Sequence, residues 1–202
     1  MATTIATIRA MVRKDLRDDD SVRWTDDELD RHIEHAVKDI SCAVPLQVRD
    51  TDLTIPDPAS REIDISGITE RVSVEAVEYP VGYYPKRYRH FTLWVDVLEL
   101  LIDTEPTAGD TLYLYYGKLH TVDAEGSTLP ANLEDLCALG AGAYAALDWA
   151  VYTINQVNVG GDPTPDNFMK WGQARLDYFL AELRRLKSSK LKARVLYSED
   201  TT

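Results

Sequence analysis

The hydrophobic period of this chain changes twice. Apolar residues recur at helical spacing up to about residue 44, alternate from about residue 46 to about 120, and return to helical spacing after Pro130. A stretch written with the helical period does not settle as a strand, nor the reverse. The pattern therefore reads as α+β: a four-helix bundle with a small antiparallel β-sheet or sandwich inserted between helices 2 and 3, and an extended C-terminal arm. The corresponding parts are an N-terminal helical part (1–45), a β-rich insertion (46–129), a C-terminal helical part (130–188) and a tail (189–202). A chain of 202 residues is long enough to bury a core without staples.

The first helix is expected over about 4–16, with Ile5, Ile8, Met11, Val12 and Leu16 on one side; the run Arg17-Asp-Asp-Asp-Ser21 breaks it. The second, about 26–42, has the clearest local signal. Thr25 and Glu28 are spaced as a capping box, and Trp24 stands where an apolar residue staples to Leu29. Leu29, Ile33, Ala36, Val37 and Ile40 follow on one face, and the helix ends before Pro45. In the insertion, Leu53/Ile55, Ile63/Ile65, Val72/Val74 and Leu112/Leu114 are the clearest alternating pairs. Phe91–Val95 and Val97–Ile102 read as two strands turning near Asp96, and Ala108-Gly-Asp110 as a turn before Thr111–Gly117, for five or six short strands in all. The third helix, from Pro130 to about Asn155, is apolar nearly all round and rich in small residues (Ala138, Gly140, Ala141, Gly142, Ala143, Ala145, Ala146), which marks it as central and closely approached. After the breaker Asn158–Pro163, Thr164 caps and Pro165 opens a fourth helix carrying Phe168, Trp171, Phe179, Leu180, Leu183 and Leu186.

The net charge of −12 is uneven. Residues 46–129 hold seven Lys/Arg against fifteen Asp/Glu. Solubility alone accounts for such a surplus; a wall that does not hold DNA is the sharper alternative, because a duplex binds where Lys and Arg neutralise phosphates. No run reaches the ~18 apolar residues of a membrane span. The N-terminus lacks the basic-then-apolar order of a secretory signal. Cys42 and Cys137 both lie in apolar helical surroundings and are expected to be buried free thiols in a reducing compartment.

Four polar residues of the second helix, Glu28, His32, His35 and Asp39, share a face about a quarter turn from its apolar stripe. Two His and two carboxylates suit a metal, yet no closing ligand stands elsewhere at recognisable spacing, so the face reads as a solvated or subunit-contacting flank. His90 and His120 fall near strand ends without an identifiable partner. There is no glycine-rich phosphate loop, Gly-x-Ser-x-Gly elbow or His-Glu-x-x-His motif, and Cys137 within an apolar helix is poorly placed as a nucleophile. No catalytic residue, cofactor or metal is assigned. The stretch Tyr79-Pro-Val-Gly-Tyr-Tyr-Pro-Lys-Arg-Tyr-Arg-His90 mixes aromatic and basic side chains within the acidic insertion. Tyr83, Tyr84, Lys86, Arg87, Tyr88 and Arg89 suit a protein interface; a hairpin packing its own tyrosines, or stacking of a sugar or single strand, are the alternatives. Arg184, Arg185, Lys187, Lys190, Lys192 and Arg194 then form a basic run without an acid, followed by Val195, Leu196 and Tyr197. These are read as a frayed terminus or as an arm that docks on another chain, for instance by adding a strand to a sheet edge.

Three segments give the chain a resemblance to the head-to-tail adaptor (connector) proteins of tailed bacteriophages: Trp24-Thr-Asp-Asp-Glu-Leu29; Gly109-Asp-Thr-Leu-Tyr-Leu-Tyr-Tyr-Gly-Lys-Leu-His120 followed by Leu129-Pro130; and Leu136-Cys-Ala-Leu-Gly-Ala-Gly-Ala-Tyr-Ala145. The resemblance implies a structural virion protein assembled in the host cytoplasm and held in the neck. Such proteins form a closed ring, commonly dodecameric, that docks on the portal, extends the channel for passing double-stranded DNA without reading its sequence, and presents a surface to the next neck, stopper or tail protein. On this basis the basic arm is expected to grip the portal, the 79–90 loop to meet the neck or tail partner, and Glu28, His32, His35 and Asp39 to lie between subunits, with no membrane partner. The alternatives are a tail-completion or stopper protein of the neck, and a β module binding glycan or peptide on a helical base; a metal-dependent hydrolase at His32 and His35 is a third.

Overall fold

The computed structural model describes residues 3–153 and 165–189. It is α+β, with four helices packed together and two small antiparallel sheets inserted in the chain between the second and third. The helices are α1 (Ile5–Leu16), α2 (Asp26–Ala43), α3 (Glu134–Thr153) and α4 (Pro165–Ser189). The chain divides into a helical unit, Met1–Pro45 with His120–Lys190, and a β unit whose described part is Leu46–Leu119.

In the helical unit, α3 packs against each of the other three helices. Its Cys137, Ala138, Ala141, Ala145 and Ala146 are buried with Ile8, Val12, Leu29, Ile33, Ile40 and Phe179 in one core. The expected capping box is present: Glu28 N–H donates to Thr25 Oγ1, and the Glu28 carboxylate accepts from Thr25 N–H at 2.8 Å. Trp24 is buried beside Trp149, with ring centroids 5.4 Å apart. The acidic link between α1 and α2 is more than a breaker. Arg13 and Asp18, both buried, are joined at 3.1 Å; Arg13 also reaches Asp26 Oδ1 at 2.6 Å and the Trp24 carbonyl, while Asp18 accepts from the N–H groups of Val22, Arg23 and Trp24. A charge pair taken out of water persists only when its remaining donors and acceptors are satisfied, and here the turn itself satisfies them. Two expectations are corrected. Cys42 is exposed, not buried, because it follows Ile40 by two residues and so lies on the far side of α2 from the apolar stripe. His120 is not without partners: its N–H donates to Ser41 Oγ, and its ring nitrogens face the carbonyls of Thr128 (2.9 Å) and Val44 (3.0 Å).

In the described part of the β unit seven strands form two sheets, where five or six strands are read from the sequence. One sheet has the order β1-β7-β3-β4, from Leu46–Asp50, Tyr113–Lys118, Arg71–Glu78 and Tyr88–Arg89; the other is β2-β6-β5, from Glu62–Asp64, Val97–Leu100 and Phe91–Trp94. Ile55, Ile63, Ile65, Val77, Leu98, Leu100, Leu112 and Leu114 form their core. Leu53/Ile55 does not become a strand; only a single bridge, Thr54 to Thr111, forms there. Pro56 and Pro58 follow at once and lack the N–H groups a ladder needs. The alternation in β3 is blurred by register shifts at Arg71/Ser73 and Val74/Ala76, each of which moves the following side chains to the other face.

Candidate assembly surfaces

The α2 flank is the first surface. A cavity of about 520 Å³ opens between α2 and α3, lined by Arg31, His32, His35, Lys38, Tyr144 and Asp148 among others. The four flank residues play different parts in it. Glu28 is committed to the cap, and the Thr25 backbone N–H holds its carboxyl below the usual range. His32 is only 5% exposed; its Nε2 has no hydrogen-bond partner among the described residues and stands 3.6 Å from Asp148 Oδ2. Burial, followed by the neighbouring Arg31, pushes the His32 pKa down, so the imidazole is held neutral. His35 stacks on Tyr144, centroids 4.1 Å apart and planes 9° from parallel. Tyr144 donates to Asp39 Oδ2, and burial with this bond raises the Tyr144 pKa. His32, His35 and Asp39 are thus brought together on α2 with Tyr144 and Asp148 of α3, while Glu28 faces the cap. Among the described residues no group of three or more His, Cys, Asp or Glu side chains is placed to hold a metal.

The 79–90 loop divides into a structural part and an exposed part. Tyr79 is buried; its hydroxyl donates to Asp110 Oδ2 at 3.1 Å and accepts from Thr107 N–H at 3.2 Å. Arg89 donates to the Tyr79 carbonyl, and Tyr88 in β4 meets Tyr115 edge-on. Lys86 donates to the Tyr115 hydroxyl at 2.6 Å and lies 3.1 Å from buried Glu78; those two partners, Tyr115 first, raise its pKa. What remains outside is Tyr84, 99% exposed, and Tyr83, half exposed with the Arg87 guanidinium 4.0 Å from its ring centre. The split between buried and exposed tyrosines in this loop has no signature in the sequence, since both kinds carry the same side chain.

Arg184, Arg185 and Lys187 are exposed on the last turns of α4. Arg185 is paired with Glu182 at 2.7 Å; Arg184 and Lys187 have no ion pair among the described residues. Lys190, Lys192, Arg194, Val195, Leu196 and Tyr197 lie outside the described residues, as does the Thr164 cap.

Sequence reasoning missed a further surface, the hairpin of β5 and β6. Its turn residues are Val95 and Asp96, with Trp94 opposite Val97. Trp94 and Val95 are among the most exposed apolar residues of the chain. Phe91–Val95 and Val97–Ile102 read only as two strands, because exposure at a hairpin end is set by tertiary contacts and not by alternation. Cys137, by contrast, is buried and its thiol is pushed up to about 12, which removes it as a nucleophile near neutral pH. No helix of the described residues is long and apolar enough to cross a membrane. No family model and no curated protein matches this chain.

Proposed function

We propose that the chain is a non-enzymatic virion protein, the head-to-tail adaptor of a tailed bacteriophage. Copies close into a ring under the portal, and the ring prolongs the DNA channel and receives the next neck or tail protein. The observation that supports this most is where the three resembling segments fall. Trp24–Leu29 caps α2, Gly109–His120 supplies the inner strand β7, and Leu136–Ala145 lies in the N-terminal part of α3, which touches all the other helices. The resemblance therefore rests on the parts that build a frame. The surplus of carboxylates over Lys and Arg in residues 46–129 keeps a passing duplex from adhering. Arg184 and Lys187, without ion pairs among the described residues, begin a basic stretch suited to an acidic or backbone-rich partner surface on the portal, and exposed Tyr83, Tyr84 and Arg87 form the contact for the following protein. The α2 flank with His32, His35 and Asp39 lies between subunits.

Particles made from a genome in which this reading frame is stopped early test the proposal. Heads are expected to package DNA, to release it, and to join no tails. Infectious, tailed particles lacking the chain overturn it. Deleting residues 188–202 is expected to abolish portal docking while leaving the far-UV circular dichroism of the helical unit intact; normal docking overturns the role of the arm.

A further inference from the structure

The β2-β6-β5 sheet carries an unusual outer face. Trp94 is 83% exposed and Val95 75%. Val95 holds φ at +56°, where a β-branched side chain is crowded by its own backbone and where tight hairpins place Gly, Asn or Asp. The pairing sets Asp64, Val97 and Trp94 in one row across the three strands and Glu62, Glu99 and Thr92 in the next row on the same face. An indole and a valine are thus collared by Glu62, Asp64 and Glu99. None of these acids has a cationic partner among the described residues, and Glu62 stands directly opposite Glu99, a like-charge pair that weakens the sheet. Such a face is matched by an apolar cavity edged with cations.

The helical unit of the same chain has one. A cavity of about 290 Å³ lies between the end of α1 and the start of α4, with Leu16, Phe168 and Trp171 as its apolar lining and Arg17 and Arg23 at its edge. The Arg23 guanidinium sits 5.7 Å from the centre of the Phe168 ring. Neither Arg17 nor Arg23 has an ion pair among the described residues, and the one acid in the lining, Asp15, is neutralised by Arg175.

We propose that the chain associates with itself head to tail: Trp94 of one copy seats against Phe168 and Trp171 of the next, and Arg17 and Arg23 of the acceptor face Glu62, Asp64 and Glu99 of the donor. Knob and cavity are different surfaces, so the contact is heterologous and builds a ring when the rotation closes, or a filament when it does not. Aromatic and arginine anchors are the residue types that dominate such contacts. A lipid surface suits the knob less, because the three carboxylates of the collar would approach a negatively charged bilayer. The contact uses residues other than the α2 flank and would add to the ring proposed above; a chain that self-associates through it but docks on no portal upholds this contact and overturns the virion assignment.

Sedimentation velocity of the full chain over a wide concentration range tests it with three proteins: wild type, Trp94→Ser without the knob, and Arg17→Glu/Arg23→Glu with the cavity edge reversed. The wild type is expected to grow with concentration, and each variant to associate at least about tenfold more weakly. The diagnostic result is the mixture. Knob-less and cavity-reversed chains combined in equal amounts should associate as heterodimers more tightly than either variant alone, because each such pair retains one intact knob-and-cavity contact and no second one. Arg23→Gln, which removes a charge without adding an acid, should weaken association in the same direction and guards against misfolding of the double variant. Three results overturn the proposal: a wild type that stays monomeric throughout, association unchanged by Trp94→Ser and the arginine variants alike, or an indole blue shift on phosphatidylcholine vesicles without self-association.

Discussion

Gly140 sets how closely α3 and α4 approach. A Cβ placed on it meets two carbons of the Phe179 ring at 2.8 Å, against ~3.5–4.0 Å for an unstrained carbon contact. Phe179 is fully buried, and its ring is met edge-on by Tyr144 with centroids 6.3 Å apart, so it cannot withdraw without disturbing the core. Overpacking of this kind costs roughly 1–3 kcal/mol. Replacing a mid-helix glycine by alanine recovers about 1 kcal/mol of helix propensity. Gly140→Ala should therefore destabilise the helical unit by about 1 kcal/mol. Gly142, two residues on, has only Trp171 Cη2 at 4.0 Å from such a Cβ, so Gly142→Ala should stabilise by up to about 1 kcal/mol. Urea unfolding followed by far-UV circular dichroism measures both; at a slope of about 2 kcal/mol/M the two midpoints should differ by about 1 M. Phe179→Leu opens space at the same point, so the Gly140→Ala/Phe179→Leu pair should cost less than the sum of its members. A Gly140→Ala chain as stable as wild type, or more so, refutes the idea that close helix approach is what requires glycine here.

Further outcomes are expected. Asp18→Ala leaves Arg13 buried beside an emptied site and should lower the stability of the helical unit by roughly 3–5 kcal/mol, measured by denaturant titration. His32 is held neutral in the fold, with a pKa below its ordinary 6.5; below about pH 6.5 the unfolded chain takes up the proton first, so stability falls as pH drops through that value and levels off below the folded pKa. The stability of His32→Leu relative to wild type should accordingly rise between pH 8 and pH 5. Tyr79→Phe removes the hydroxyl shared by Asp110 and Thr107 and should cost the β unit about 1–2 kcal/mol, whereas Tyr84→Ala should stay within about 0.5 kcal/mol of wild type in stability and weaken binding to the following neck protein. Val95→Asn relieves a β-branched residue at positive φ and should raise thermal stability by about 1 kcal/mol.

Much of the frame was legible in the residues. The cap at Thr25 and Glu28, the apolar stripe of α2, the central place of α3 and the turn near Asp96 all rest on local spacing, which is what periodicity reports. The misses have a common cause. Arg13 and Asp18 look like surface charges until the turn between α1 and α2 encloses them. His120 lacks partners along the chain because Ser41, Val44 and Thr128 reach it only through folding. The tyrosines of the 79–90 loop divide into buried and exposed by contacts with Glu78, Asp110 and Tyr115, and the exposure of Trp94 follows from its place at the end of a hairpin. On the α2 flank the shared face of His32, His35 and Asp39 was visible from helical geometry, but the burial of His32 and the stacking of His35 on Tyr144 were not, because both depend on α3.

The most direct measurement is to mix the purified full chain with the portal protein encoded in the same genome and to image the product by electron microscopy. A ring of this chain seated coaxially on the portal, leaving an open channel, is the result expected of an adaptor. A portal that stays bare at saturating concentrations of the chain contradicts it.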